Sequence, residues 1–281
     1  MPFMKIVCLS IIFFLFSLAV CAQNLSLDLY VGTSNYRGDL QDQAFLFSQS
    51  HLGGGVGLTY RFNNHIYARS SFILGKISGN DNSGSNKFRN LNFTSGITEG
   101  NLEILYLVTP LLVHSFSPYF FTGISVYHFN PYTHDTLGNK YYLKPLSTEG
   151  EGFLDGVKNY NLTQIGIPVG GGIKLSLSEN IDVGFEIGLR KIFTDYLDDV
   201  STNYVDENLL FTNRGAKAVE LAYRGDELKG GDLQYPVAGK QRGSPKAKDM
   251  YYFTLISLSY RFGTLNFSKS HSQWSCPKNV L

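Results

Sequence analysis

The stretch Ile181-Asp182-Val183-Gly184-Phe185-Glu186-Ile187-Gly188-Leu189-Arg190 decides the fold. Its odd positions are all large and apolar, while its even positions are glycine or charged. Side chains alternate across a β-strand with period two, so one face here has no charge and the other carries Asp182, Glu186 and Arg190. The turn Ser178-Glu179-Asn180 joins it to an earlier stretch of the same kind. There Ile165, Ile167, Val169, Ile173 and Leu175 oppose Gln164, Gly166, Pro168, Gly170, Gly172 and Lys174.

Five of the six remaining strands follow the pattern. From Leu25 to Tyr36, Leu25, Leu27, Leu29 and Val31 oppose Ser26, Asp28, Tyr30 and Gly32. From His51 to Phe62, Leu52, Val56, Leu58, Tyr60 and Phe62 oppose glycines, Thr59 and Arg61. After Asn63-Asn64, Ile66, Ala68, Ser70, Phe72 and Leu74 oppose Tyr67, Arg69, Ser71 and Ile73, which predicts a hairpin. Thr98 to Val108 sets Leu102, Ile104 and Tyr106 against Glu99, Asn101 and Glu103, and Met250 to Phe262 sets Tyr252, Ile256, Leu258 and Tyr260 against Ser257, Ser259 and Arg261. Pro118 to Phe129 is apolar on both faces, so its orientation cannot be read.

Charge placement turns the count of strands into an architecture. Asp28, Glu99, Glu103, Asp182 and Glu186 share the second face with Arg61, Arg69, Lys174, Arg190 and Arg261, and the first face carries no charge. A charge facing mid-bilayer costs about 2–4 kcal/mol, so this segregation predicts an all-β, eight-stranded antiparallel transmembrane β-barrel. A soluble sandwich would turn its apolar face inward and scatter its outer charges. Connections alternate between short turns and long loops (37–50, 78–92, 130–162 and 194–248), and the long ones are expected to be extracellular.

The N-terminus agrees with export. Lys5, the apolar run Ile6 to Val20 and the exit Val20-Cys21-Ala22 form a signal peptide over residues 1–22. A lipobox reading of Leu18-Ala19-Val20-Cys21 is disfavoured by the branched Val20 beside the cysteine. The barrel then spans residues 23–263, and residues 264–281, with Trp274 and Cys276, form a periplasmic tail. Of three cysteines only Cys276 survives cleavage, so no internal disulfide is expected. Aromatic content of 14% suits interfacial girdles, and a net charge of +1 without a basic stripe excludes nucleic acid as a partner. The expected partners are outer-membrane lipids and the barrel-assembly machinery, which reads an aromatic strand end such as Phe262.

Function is less legible. An eight-stranded barrel is filled by its own side chains, so the ten lumen charges read as a plug, with Glu99, Glu103, Glu186 and Arg190 joining Arg69 and Lys174 in one network. The alternative is a narrow channel or small-ligand transporter. The Gly-x-Gly spacings at 53–57 and 166–172 do not open a helix and predict no nucleotide site. His114-Ser115 and His271-Ser272 fall in a turn and the tail, poor settings for a nucleophile, so no catalytic residue and no cofactor is expected. The acidic runs Asp195, Asp198, Asp199, Asp206, Glu207 and Asn80-Asp81-Asn82 lack a calcium ligand ladder and read as solvated loop charge.

Five strings at the long-loop rim carry a resemblance: Asn35-Tyr36-Arg37-Gly38-Asp39-Leu40, Gly75-Lys76-Ile77-Ser78-Gly79, Arg89-Asn90-Leu91-Asn92-Phe93, Phe129-Asn130-Pro131 and Lys191 to Val200 (KIFTDYLDDV). Together they resemble a family of uncharacterised outer-membrane β-barrels from the Bacteroidota, related to PorG of the type IX secretion system. The resemblance implies a non-enzymatic anchoring or assembly role beside periplasmic secretion-ring proteins. Their position implies that the strings shape loops rather than perform chemistry.

Overall fold

A computed structural model describes residues 24–41, 49–83, 86–111, 113–245 and 248–262. The expected signal peptide, the tail with Trp274 and Cys276, and His271 lie outside the described residues. The strands are β1 (Leu25–Arg37), β2 (His51–Arg61), β3 (Ile66–Asn80), β4 (Asn92–Leu107), β5 (Phe116–His134), β6 (Lys140–Tyr142), β7 (Thr163–Ser176), β8 (Ile181–Ile192) and β9 (Met250–Arg261). All but β6 form one closed antiparallel barrel in the order β1-β2-β3-β4-β5-β7-β8-β9, with β9 pairing back onto β1. The short β6 extends β5 beyond the barrel wall.

Register follows from the faces. Val183 stands opposite Leu258 and Leu175, and Leu29 opposite both Val56 and Leu258, so apolar side chains form continuous rows around the outside. Leu102, Phe120, Ile124, Ile165, Phe185 and Leu258 are all exposed to what surrounds the barrel. Such a belt is stable against hydrocarbon and unfavourable against water. In β5 the odd positions point inward: Tyr119, Phe121, Tyr127 and Phe129 are buried, and Phe120, Ile124 and Val126 face out. Tyr252, expected on the outer face, is buried.

The two rims differ. At one, the turns 62–65 and 177–180 are tight, with Asn63 Oδ1 accepting from the amides of His65 and Ile66. At the other, the wall grows past the apolar belt: β3 and β4 stay paired up to Asn80 and Asn92, where the sequence predicted loop. The span 194–248 also contains two helices, α1 (Glu207–Arg214) and α2 (Ala216–Ala222). Asp206 caps α1 by accepting from the Leu209 amide at 3.0 Å. Leu210, Ala218 and Ala222 pack under the helices against Val205, forming a small core separate from that of the barrel.

Candidate functional site in the lumen and cap

The inward charges arrange themselves in tiers along the barrel axis. In the middle tier, Arg69 on β3 donates Nε to Glu103 on β4 at 2.6 Å and Nη1 to Glu186 on β8 at 2.7 Å. Tyr119 on β5 donates its hydroxyl to the same Glu186 oxygen at 2.6 Å. Phe121 lies 4.8 Å beneath the Arg69 guanidinium, a cation–π contact that stabilises the cation where water is scarce. Because β3 and β8 are four steps apart in an eight-strand circuit, the Arg69–Glu186 pair spans the lumen.

The next tier lies toward the long-loop rim. Arg190 on β8 donates Nη2 and Nε to Glu99 on β4 at 2.8 and 3.0 Å, and Tyr251 on β9 donates its hydroxyl to the other Glu99 oxygen. Phe253 sits 4.9 Å from the Arg190 guanidinium. Arg190 and Glu99 are 1% and 0% exposed, so the pair is dry and its geometry must offset the desolvation of both charges. Small residues make the room. A Cβ at Gly188 would sit 2.9 Å from Phe121, and one at Gly172 the same distance from Tyr119.

Near the short-turn rim the contacts loosen. Asp182 pairs with Arg261 at 3.1 Å, Arg61 donates to Asn24 Oδ1 at 2.7 Å, and Asp28 accepts from Thr59 at 2.5 Å. Lys174 is buried but makes no ion pair among the described residues. The six residues expected to share one network therefore divide: Arg69, Glu103 and Glu186 form one tier, Glu99 and Arg190 another, and Lys174 joins neither. The reason is strand rise. Residues four apart on one strand are about 13 Å apart, so Glu186 and Arg190 share a face yet answer different partners.

Above the tiers, the long loops fold back over the barrel as a cap. The five strings singled out in the sequence meet here. Tyr36 Oη lies 2.6 Å from Asp198 Oδ2 and 2.8 Å from Asp249 Oδ1. A phenol has one hydrogen, so one of these carboxyls carries a proton and donates back. Burial pushes both Asp198 and Asp249 well above the ordinary carboxylate range, which suits that arrangement. Arg89 grips Asp81 at 2.6 Å and also donates to the carbonyls of Asp39 and Arg242. Arg242 donates to Glu149 at 3.0 Å and to the Asp199 carbonyl at 2.6 Å. Tyr160 and Thr148 each donate to the Asp199 carboxylate at 2.7 Å.

The acidic run was expected in solvent and is instead interior. Asp195, Asp198 and Asp199 are buried among hydroxyl, amide and guanidinium donors, and only Asp206 and Glu207 are exposed, at the head of α1. Burial raises Asp195 and Asp199 to about 6. Burial, reinforced by the nearby Asp199 and Glu149, raises Glu151 to about 8. No grouping of three or more His, Cys, Asp or Glu suited to a metal ion occurs among the described residues. His114 lies in the turn before β5, His51 bonds Ser78 at 2.8 Å, and His65 bonds the Leu107 carbonyl at 2.7 Å.

Comparison with known proteins gives the family. No curated protein matches the chain. Among solved structures, Neisserial surface protein A shares 7% identity with a TM-score of 0.42, over 85% of this chain and 97% of that one. Ail, the attachment invasion locus protein of Yersinia pestis, shares 8% at 0.40, over 84% and 96%. Outer Membrane Protein W of E. coli shares 13% at 0.32, over 84% and 97%. The strand pairing, rather than these distant likenesses, carries the fold. A family profile described as a domain of unknown function, DUF6089, matches residues 5–218, and this chain belongs to that family.

Proposed function

We propose that the protein is a non-conducting barrel of the outer membrane, reached through a cleaved signal peptide, that acts as an anchor or assembly component through its rims. The observation that carries this reading is the direction of the lumen bonds. Arg69–Glu186 and Tyr251–Glu99 each join strands on opposite sides of the barrel, so charge and aromatic rings occupy the axis that an ion would follow. The cap adds a second closure built from charges bonded to one another. A transport role would call for side chains that line a path and leave its centre free. A lumen spent on its own stabilisation leaves the rims and loops to make contacts.

The resemblance to barrels related to PorG narrows the proposed partner to periplasmic secretion-ring proteins of a type IX apparatus, with the short-turn rim and the tail after Phe262 as the contact side. Two measurements test this. Purified protein in planar bilayers is expected to give no steady conductance, and crosslinking in native membranes is expected to recover ring components. A reproducible ion current from the parent protein would replace the plug with the narrow-channel reading. Recovery of neither ring proteins nor any other envelope complex would remove the assembly role.

A further inference from the structure

The cap contains a cleft of about 640 Å³ between the segments 149–158, 196–209 and 238–239. That volume lies within the range of small-molecule sites. Leu154, Val157, Val205 and Leu209 make its apolar wall. Lys158, Asn203 and Asp206 stand exposed at its mouth, and the side chains of Lys158 and Asn203 make no hydrogen bond among the described residues. The other acidic group on the lining, Glu149, is already engaged by Arg242, Ser201 and Thr202.

Its most telling wall is aromatic. Phe129 stacks on Tyr160 with ring centroids 6.1 Å apart and planes at 10°, and Tyr160 stacks on Tyr196 at 4.9 Å and 8°. Phe129 is fully buried in the lumen, Tyr160 is buried above it, and Tyr196 ends the column as a half-buried ring on the cleft lining. One face of Tyr196 is occupied by Tyr160, and the residue also lines the cleft. A column of near-parallel rings whose last member lines a cleft holds that ring rigidly for stacking.

We propose that this cleft binds a carbohydrate, with the apolar face of one sugar ring stacked on Tyr196 and its hydroxyls bonded by Lys158, Asn203 and Asp206. Charge selects this class. The mouth balances one cation against one carboxylate, which caps α1 through Oδ1 and offers Oδ2 to a ligand, so a strongly anionic ligand meets Asp206 and a cationic one meets Lys158. A neutral polyhydroxylated ring uses both, and Asn203 supplies a donor and an acceptor together. The cleft lies on the long-loop face and is independent of the plugged lumen, so it stands whether or not the barrel conducts.

The test uses the full-length barrel refolded in detergent and saturation-transfer NMR with a set of neutral probes: glucose, galactose, N-acetylglucosamine and maltose. At least one is expected to bind below about 10 mM, with transfer strongest at its ring C–H protons. Tyr196→Leu is expected to weaken that binding by tenfold or more, and Asn203→Ala with Lys158→Ala by a smaller factor. Leu209→Trp, placed on a partly exposed helix position, fills the cleft and is expected to abolish the signal without touching the column. Absence of binding by all four sugars, or binding that survives both Tyr196→Leu and Leu209→Trp, overturns the proposal.

Discussion

Replacing Arg69 with Met removes the cation that holds two buried carboxylates at once. Glu103 loses its 2.6 Å donor, and Glu186 keeps only the Tyr119 hydroxyl. Breaking a buried pair by deleting one partner costs about 3–5 kcal/mol, because the remaining charge stays desolvated. Two orphaned acids, plus the loss of the guanidinium over Phe121, place Arg69→Met at the upper end of that range. Changing Glu103 and Glu186 to Gln in the same chain removes both orphan charges and is expected to recover all but about 1–2 kcal/mol, the scale of imperfectly bonded amides. Urea unfolding of the barrel in lipid vesicles, followed by heat-modifiable gel mobility, measures each step. An Arg69→Met barrel within about 1 kcal/mol of the parent, and no better when the two Gln are added, would mean that water screens the tier. The lumen would then be wet rather than plugged.

Phe185→Arg puts a charge into the outer belt and is expected to cost about 2–4 kcal/mol or to block assembly, measured by the same urea midpoints. A neutral effect there would place the lipid-facing register wrong by one residue. The cap should also respond to pH. Asp195 and Asp199 near 6 and Glu151 near 8 hold protons more tightly folded than unfolded, so their stabilisation is full only below about pH 4 and is lost progressively as pH rises to about 8. Limited proteolysis of the loops is therefore expected to accelerate between pH 5 and pH 8. Glu151→Gln should flatten the upper part of that profile, and a cap that becomes more resistant on raising the pH would reverse the assigned direction.

The membrane-facing half of the fold was legible because it is written twice, once in period-two apolarity and once in the banishing of charge from one face. Where those signals coincide, as in β8, both faces were read from the residues alone. In β5 they are absent: Phe120 and Ile124 face lipid while Phe121 and Phe129 face the lumen, and hydropathy cannot separate them. The inward Ser117, Tyr119, Ser125 and Tyr127 were the usable clue, since their hydroxyls share one parity. Tier membership was not legible, because strand parity says that Glu186 and Arg190 point inward but not which residue across the barrel each meets. The cap was read as solvated loop. Its carboxylates carry the composition of a surface, and only tertiary contact with Arg89, Arg242 and the tyrosines takes them out of water. The start of α1 is written in Asp206 followed by Glu207 and a helix-forming run, a capping signal that the acidic character of the segment masks.

The junction at Tyr36 has a bearing on the order of events during folding. Tyr36 sits on the first strand, Asp198 follows the eighth of the numbered strands, and Asp249 immediately precedes the last, so their contacts join residues 162 and 213 positions apart in the chain. Tyr36 also faces Tyr251 across the seam where the first and last strands zip together. Contacts of such separation form only after the intervening chain is in place. The two carboxylates can therefore reach the phenol only in a chain whose seam is shut. Protection of the loops from protease thus becomes a clock for barrel closure, rising after the hairpins have paired and marking the moment at which an inserted sheet becomes a sealed cylinder.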